Sequence, residues 1–162
     1  MTDEIAVREV MARYVRAADQ RNGAAMAALF VEGATVEIHY DKGGADQLLG
    51  VLDGREAIAN AVSAMMRPHP PRGWSHHTTH DALVSIDGDV AELDTQFVVF
   101  NVLGAEEPAG GWPATASGAQ GAITPIESGY YRPTLQKRDG AWLIQTHRIY
   151  HDLPMAFPRQ AD

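Results

Sequence analysis

The sequence predicts an α+β domain in which helices near the N-terminus pack on one face of a strongly curved antiparallel sheet, the two layers forming a cone. Three observations predict it. Apolar residues recur at helical spacing in stretches before residue 67, period-two alternation dominates from Ser75 onward, and two Asp-Gly turn signals, Asp87-Gly88 and Asp139-Gly140, punctuate the later extended runs. Helices followed by hairpin-linked strands is the order of a sheet covered on one face. The space between the layers is where a small domain of this kind takes a ligand.

Thr2 stands as the N-cap of the first helix, with Asp3 and Glu4 in the turn where the helix dipole favours carboxylates. Val7, Val10, Met11, Tyr14 and Ala18 follow on one stripe, and Asp19 stands at its edge. Asn22-Gly23 breaks this helix, and Met26, Leu29 and Phe30 mark a short second one. After Gly33 the period is two, with Val36, Ile38 and Tyr40 on one side and Glu37 and His39 on the other, until Lys42-Gly43-Gly44 ends the strand. Asp53 and Glu56 have capping-box spacing ahead of a helix carrying Ala57, Ile58, Ala61, Val62, Met65 and Met66, which Pro68, Pro70 and Pro71 terminate.

Residues 75–100, SHHTTHDALVSIDGDVAELDTQFVVF, read as the organising hairpin. On an unbroken first strand His76 shares a face with His80, Ala82, Val84 and Ile86, while His77 lies opposite with Leu83. His76 is therefore the histidine expected to look into the enclosed space. Residues 104–125 are rich in Gly, Ala and Pro without periodicity and read as a long excursion, functional or disordered. Residues 127–137 and 142–150 form the last two strands, joined at Arg138-Asp139-Gly140. In the tail, Met155 and Phe157 are placed to fold back over an apolar opening.

At 162 residues the chain fits one domain, 1–152, with a C-terminal tail, 153–162. The absence of cysteine excludes disulfides and thiolate ligands. A net charge of −8 without a basic cluster argues against nucleic acid as a partner. No apolar run approaches the ~20 residues a bilayer requires, and Asp3 and Glu4 stand where a signal peptide carries positive charge, so a cytoplasmic protein with no membrane partner is expected. No Gly-rich phosphate loop is present, and no cofactor is expected. A metal is not expected either: on one strand face His76 and His80 stand roughly 13 Å apart, too far to share an ion.

Several segments carry a resemblance: Tyr14-Val-Arg-Ala-Ala-Asp19, Met26-Ala-Ala-Leu-Phe30, Gly54-Arg-Glu-Ala-Ile58, the His76 segment with Ile86-Asp-Gly-Asp-Val-Ala91, and Asp139-Gly-Ala-Trp142. Together they resemble the SnoaL-like members of the nuclear-transport-factor-2-like (NTF2-like) superfamily, whose enzymes include polyketide cyclases, scytalone dehydratase, ketosteroid isomerase and a lindane dehydrochlorinase. The resemblance implies the cone-shaped NTF2-like fold, a homodimer or homotrimer, and a role such as polyketide or steroid metabolism. It also implies a catalytic dyad of Asp19 and His76 that removes a proton from a small hydrophobic cyclic molecule, with Tyr14 holding an oxygen. Tyr40 is a further hydroxyl for substrate. Phe97, His147 and Arg148 complete the substrate-binding set; the arginine of the dehydrochlorinase's last strand falls on His147 by spacing, with Arg148 one place later.

The dyad also makes sense on chemistry alone. A carboxylate accepting from one ring nitrogen fixes the tautomer and raises the basicity of the other. The plainer reading has Asp19 solvating a helix end and His76 satisfied at a strand edge. The favoured function is an enzyme, a cofactor-independent lyase or isomerase of the dehydratase type. Two alternatives stand beside it: a non-catalytic small-molecule-binding or assembly domain, and the small subunit of a ring-hydroxylating dioxygenase.

Overall fold

The computed structural model describes residues 2–156. Helix α1 spans Asp3–Asp19 and α2 Gly23–Ala27; strands β1, Phe30–Asp41, and β2, Asp46–Asp53, form a hairpin; α3, Gly54–Asn60, runs on into one π-helical turn, Ala61–Met65. Strands β3, Gly73–Asp87, β4, Val90–Gly104, β5, Gly121–Arg138, and β6, Ala141–His151, complete the chain. The helices bury the predicted stripes: Val7, Val10, Met11 and Tyr14 of α1, with Ile58 and Val62, meet Phe30, Leu93, Phe97, Leu135 and Ile144 of the sheet.

The α+β class and the helices-on-a-sheet arrangement hold. The strongly curved, wholly antiparallel cone does not. The strands form one open six-stranded sheet in the order β2-β1-β6-β5-β4-β3. It is mixed, because β1 and β6 pair in parallel while every other pair is antiparallel. The edge strands β2 and β3 are not hydrogen-bonded to each other, so nothing draws the two edges together.

Local expectations met varied outcomes. The Asp139-Gly140 turn has positive φ at both residues, 50° and 81°, as a two-residue hairpin requires. Thr2 and Asp53 occupy N-cap positions, but neither side chain makes a capping hydrogen bond. The amino end of α1 is tied down instead by Asp3, which accepts from Lys137 Nζ (2.8 Å) and Trp142 Nε1 (3.0 Å). Strand β2 was not expected, and the excursion after β4 is shorter than 104–125, because β5 begins at Gly121. No helix among the described residues is long and apolar enough to cross a membrane.

Candidate active site

Asp19 closes α1, at the end where the helix dipole disfavours a carboxylate. Its surroundings offset this. Arg21, in the left-handed region at φ 54°, turns back to donate from Nη1 to the Ala18 carbonyl (2.6 Å), and His69 Nε2 donates to the Asp19 carbonyl (2.6 Å). His69 is held in place by stacking on Trp74, ring centroids 4.3 Å apart. The last carbonyls of the helix are thereby capped, and the Asp19 side chain is aimed at β3.

There it meets His77, not His76. His77 Nδ1 donates to Asp19 Oδ1 (2.6 Å), and the His77 backbone amide donates to both carboxylate oxygens (3.1 and 3.2 Å). The two side chains are only 9% and 10% exposed, whereas that of His76 is 59% exposed, its Nδ1 3.9 Å from Asp19 Oδ2. A carboxylate buried without partners would cost several kcal/mol; three donated contacts offset that here. With Nδ1 carrying the proton, Nε2 keeps its lone pair and is the basic nitrogen.

The expectation for His76 fails for an identifiable reason. The pairing of β3 with β4 slips between His80 and Leu83, where three steps on β3 answer two on β4, and Asp81 sits at φ 53°. This one-residue bulge inverts the alternation. Ser75, His77 and Thr79 before it therefore share the helix-facing side with Ala82 and Val84 after it. A bulge made by Asp rather than Gly left no clear mark in the sequence.

The rest of the inner face converges near the dyad. Phe97 lies stacked on Tyr131, centroids 4.1 Å apart, and His151 meets Phe97 edge-on at 5.6 Å. The strand register places Tyr40 beside His151. Tyr14 is buried against Tyr131 (5.5 Å) and His147 (4.7 Å). Burial raises the Tyr14 phenol, and burial with the neighbouring Tyr14, Glu127 and Asp19 raises Tyr131, so both remain neutral donors. His147 is completely enclosed behind these tyrosines, with neither ring nitrogen hydrogen-bonded, and burial lowers it to about 3. Arg148, one residue on, faces away and donates to Glu37 (3.1 Å) from the outer side of the sheet, so it does not join the group around Asp19.

Tyr14 and His151 each line a space, although neither Asp19 nor His77 lines either of them. One is an apolar chamber of 160 Å³ between the helices and β1, β2 and β6, lined by Tyr14, Met26, Ile38, Leu52, Val62 and Ile149 among others. The second, of 220 Å³, is lined by Glu127, Ser128, His151 and the start of the tail. Met155 lines this space together with Glu127 and His151, so the opening it borders is not the apolar one expected; Phe157 lies outside the described residues. His77, His151, Glu127 and Tyr131 were not singled out from sequence as site residues. His151 could have been found, since it continues the inward series Ile149, His151 one step past the expected strand end.

Comparison with known proteins agrees with this architecture. The family model described as SnoaL-like domain matches residues 1–148. The chain belongs to the SnoaL-like family. Among solved structures similar to this SnoaL-like protein is Rv3472, a Mycobacterium tuberculosis protein of unknown function, 27% identical over 93% of this chain and 72% of that one, with a TM-score of 0.65. An NTF2-like protein with a cystatin-like fold from Novosphingobium aromaticivorans is 22% identical, covering 92% and 81% of the two chains, at a TM-score of 0.65. Another protein from that organism, provisionally described as the β subunit of an aromatic-ring-hydroxylating dioxygenase, is 16% identical over 93% and 89%, at 0.67. At such identities the last two establish the fold alone. No curated protein matches the SnoaL-like chain.

Proposed function

We propose that this SnoaL-like protein is a cofactor-independent lyase or isomerase that removes a proton from carbon next to a carbonyl in a small apolar ring compound. The observation that carries this reading is the covered Asp19–His77 couple, 2.6 Å between Oδ1 and Nδ1. His77 Nε2 takes the proton, and Asp19 stabilises the imidazolium that forms. The electrons of the broken C–H bond move toward the carbonyl oxygen. They then expel a group from the neighbouring carbon, or return to a proton at another position. Tyr14 and Tyr131, kept neutral by burial, suit the role of donors to an oxygen that gains charge.

The chamber beside Tyr14 supports the substrate class. An apolar cavity of about 150 Å³ accommodates benzene, and this one, at 160 Å³, suits a single six-membered ring. The test needs only a ring ketone. In D2O the protein is expected to speed exchange of the α-protons of cyclohexanone, followed by proton NMR. Asp19→Asn and His77→Gln should each lower the rate by about 10²–10⁴-fold, and His76→Gln by less than about twofold, as its exposure implies. Exchange no faster than in buffer, or equal in His77→Gln and the unaltered protein, sinks the reading; ligand binding untouched by those substitutions would favour a binding domain.

A further inference from the structure

We propose that the outer face of the sheet, turned away from the helices, carries a second binding site, built on Arg132 and Arg148, for a small apolar molecule bearing a single carboxylate. It is independent of the function proposed above. The strand register lays one row across five strands. Glu37 of β1 stands opposite Arg148 of β6, and Arg148 opposite Arg132 of β5. Arg132 reaches Asp94 of β4, which stands opposite Leu83 of β3. Two like charges directly opposite on neighbouring strands lower the stability of a sheet. The arginine pair is therefore held at some cost, which the flanking carboxylates offset in part.

Each guanidinium is held through one nitrogen only. Arg132 donates from Nε to Asp94 Oδ2 (2.9 Å), and Arg148 donates from Nε to Glu37 Oε2 (3.1 Å). The Arg132 guanidinium also lies over the rings of Tyr150 (4.9 Å) and Tyr130 (5.1 Å). Tyr150 is itself stacked on His39, ring centroids 4.7 Å apart, and His39 Nδ1 lies 2.7 Å from Asp46 Oδ1. These contacts fix where the two arginine side chains point, so little rotamer freedom is left to lose on binding. Among the described residues, the terminal nitrogens of both, Nη1 and Nη2, donate to no protein group.

Both arginines line one cavity of 340 Å³, together with Leu83, Ser85, Pro133 and Thr134. That volume lies at the lower end of the range of roughly 300–1,000 Å³ that small-molecule sites occupy. A guanidinium whose terminal N–H groups are free takes a carboxylate through two parallel hydrogen bonds. Leu83, 74% exposed, and Pro133 offer apolar walls to the body of the ligand, and Ser85 and Thr134 offer hydroxyls. The neighbouring acids set the charge. Glu37 and Asp94 already offset the two guanidiniums, and Glu92 lines the same cavity. A second negative charge on the ligand would be repelled by Glu92, so the site favours a singly charged carboxylate over a dianion.

The probe is benzoate, titrated into isotope-labelled protein at neutral pH and constant ionic strength and followed by the amide NMR spectrum, with sulfate as the dianion control. Saturable shifts are expected around Arg132 and Arg148, half-complete near about 1 mM benzoate, and none from sulfate at that concentration. Arg132→Gln and Arg148→Gln should each weaken binding at least about tenfold. Arg148→Lys keeps the charge but loses the fork, and should weaken it nearly as much; Glu92→Gln should tighten it. Arg132 also anchors two tyrosines, so if Arg132→Gln misfolds, Arg148→Lys and Glu92→Gln decide the matter. An absence of saturable shifts overturns the proposal. So does equal affinity for sulfate, equal benzoate affinity in Arg148→Lys and the unaltered protein, or shifts confined to Tyr14 and Val62 at the apolar chamber.

Discussion

His147 shows what an enclosed imidazole costs. It lies fully buried between Tyr14 and Tyr131 with both ring nitrogens unpaired. Its pKa falls from 6.5 to about 3 because burial opposes the charged form. The unfolded chain binds this proton near pH 6.5 and the folded chain only near 3. The stability linked to His147 is therefore complete above 6.5 and lost progressively as pH falls toward 3. His147→Leu, which removes the unpaired polar atoms at similar volume, should leave the protein as stable at pH 7 or more so by about 1–2 kcal/mol. It should also flatten the acid limb of stability between pH 6.5 and 3, as read by urea unfolding at a series of pH values. At the same scale Asp19 was legible from its place at the edge of the apolar stripe where the first helix ends. Its partner was not. Two adjacent histidines on a strand are chemically alike, and only their facing distinguishes them.

That facing is a property of the element. The bulge in β3 inverts the alternation between His80 and Leu83, and Asp81 carries the left-handed backbone that makes it. A β-branched residue is strained there, so Asp81→Val is expected to destabilise by about 1–2 kcal/mol, measured as a fall in melting temperature. Activity should fall with it, because the bulge aims His77 at Asp19; an unchanged melting temperature would show that the bulge tolerates other residues. Strand β2 escaped notice for a related reason. Leu48 and Val51 on this edge strand are more than half exposed, so burial never imposed the alternation by which strands are recognised. The strands at the middle of the sheet, with both neighbours present, did show it.

Across the whole molecule, the helices and the sheet together leave an apolar chamber with Tyr14 and Val62 in its lining. On the proposed function this chamber holds the ring of the substrate. Val62→Phe, at the chamber wall, should occupy that space, keep or raise the melting temperature, and lower the catalysed exchange of cyclohexanone at least tenfold. Loss of exchange with a fall in melting temperature would point to overpacking instead. The curvature expected for the sheet belongs to this scale as well, and it was misjudged because the parallel β1–β6 pair and the open edges depend on which distant strands meet.

The sequence alone determined the α+β class, the two hairpins near residues 88 and 140, though the first turns at Gly88-Asp89 and not at Asp87-Gly88, the helix stripes and the aspartate that ends the first helix, because each follows from contacts between near neighbours in the chain. Which histidine that aspartate meets, whether the sheet closes, and that His151 and Glu127 share the inner face were decided only by tertiary structure. Pairing partners residues apart set the register, and the register sets which side of the sheet every side chain faces.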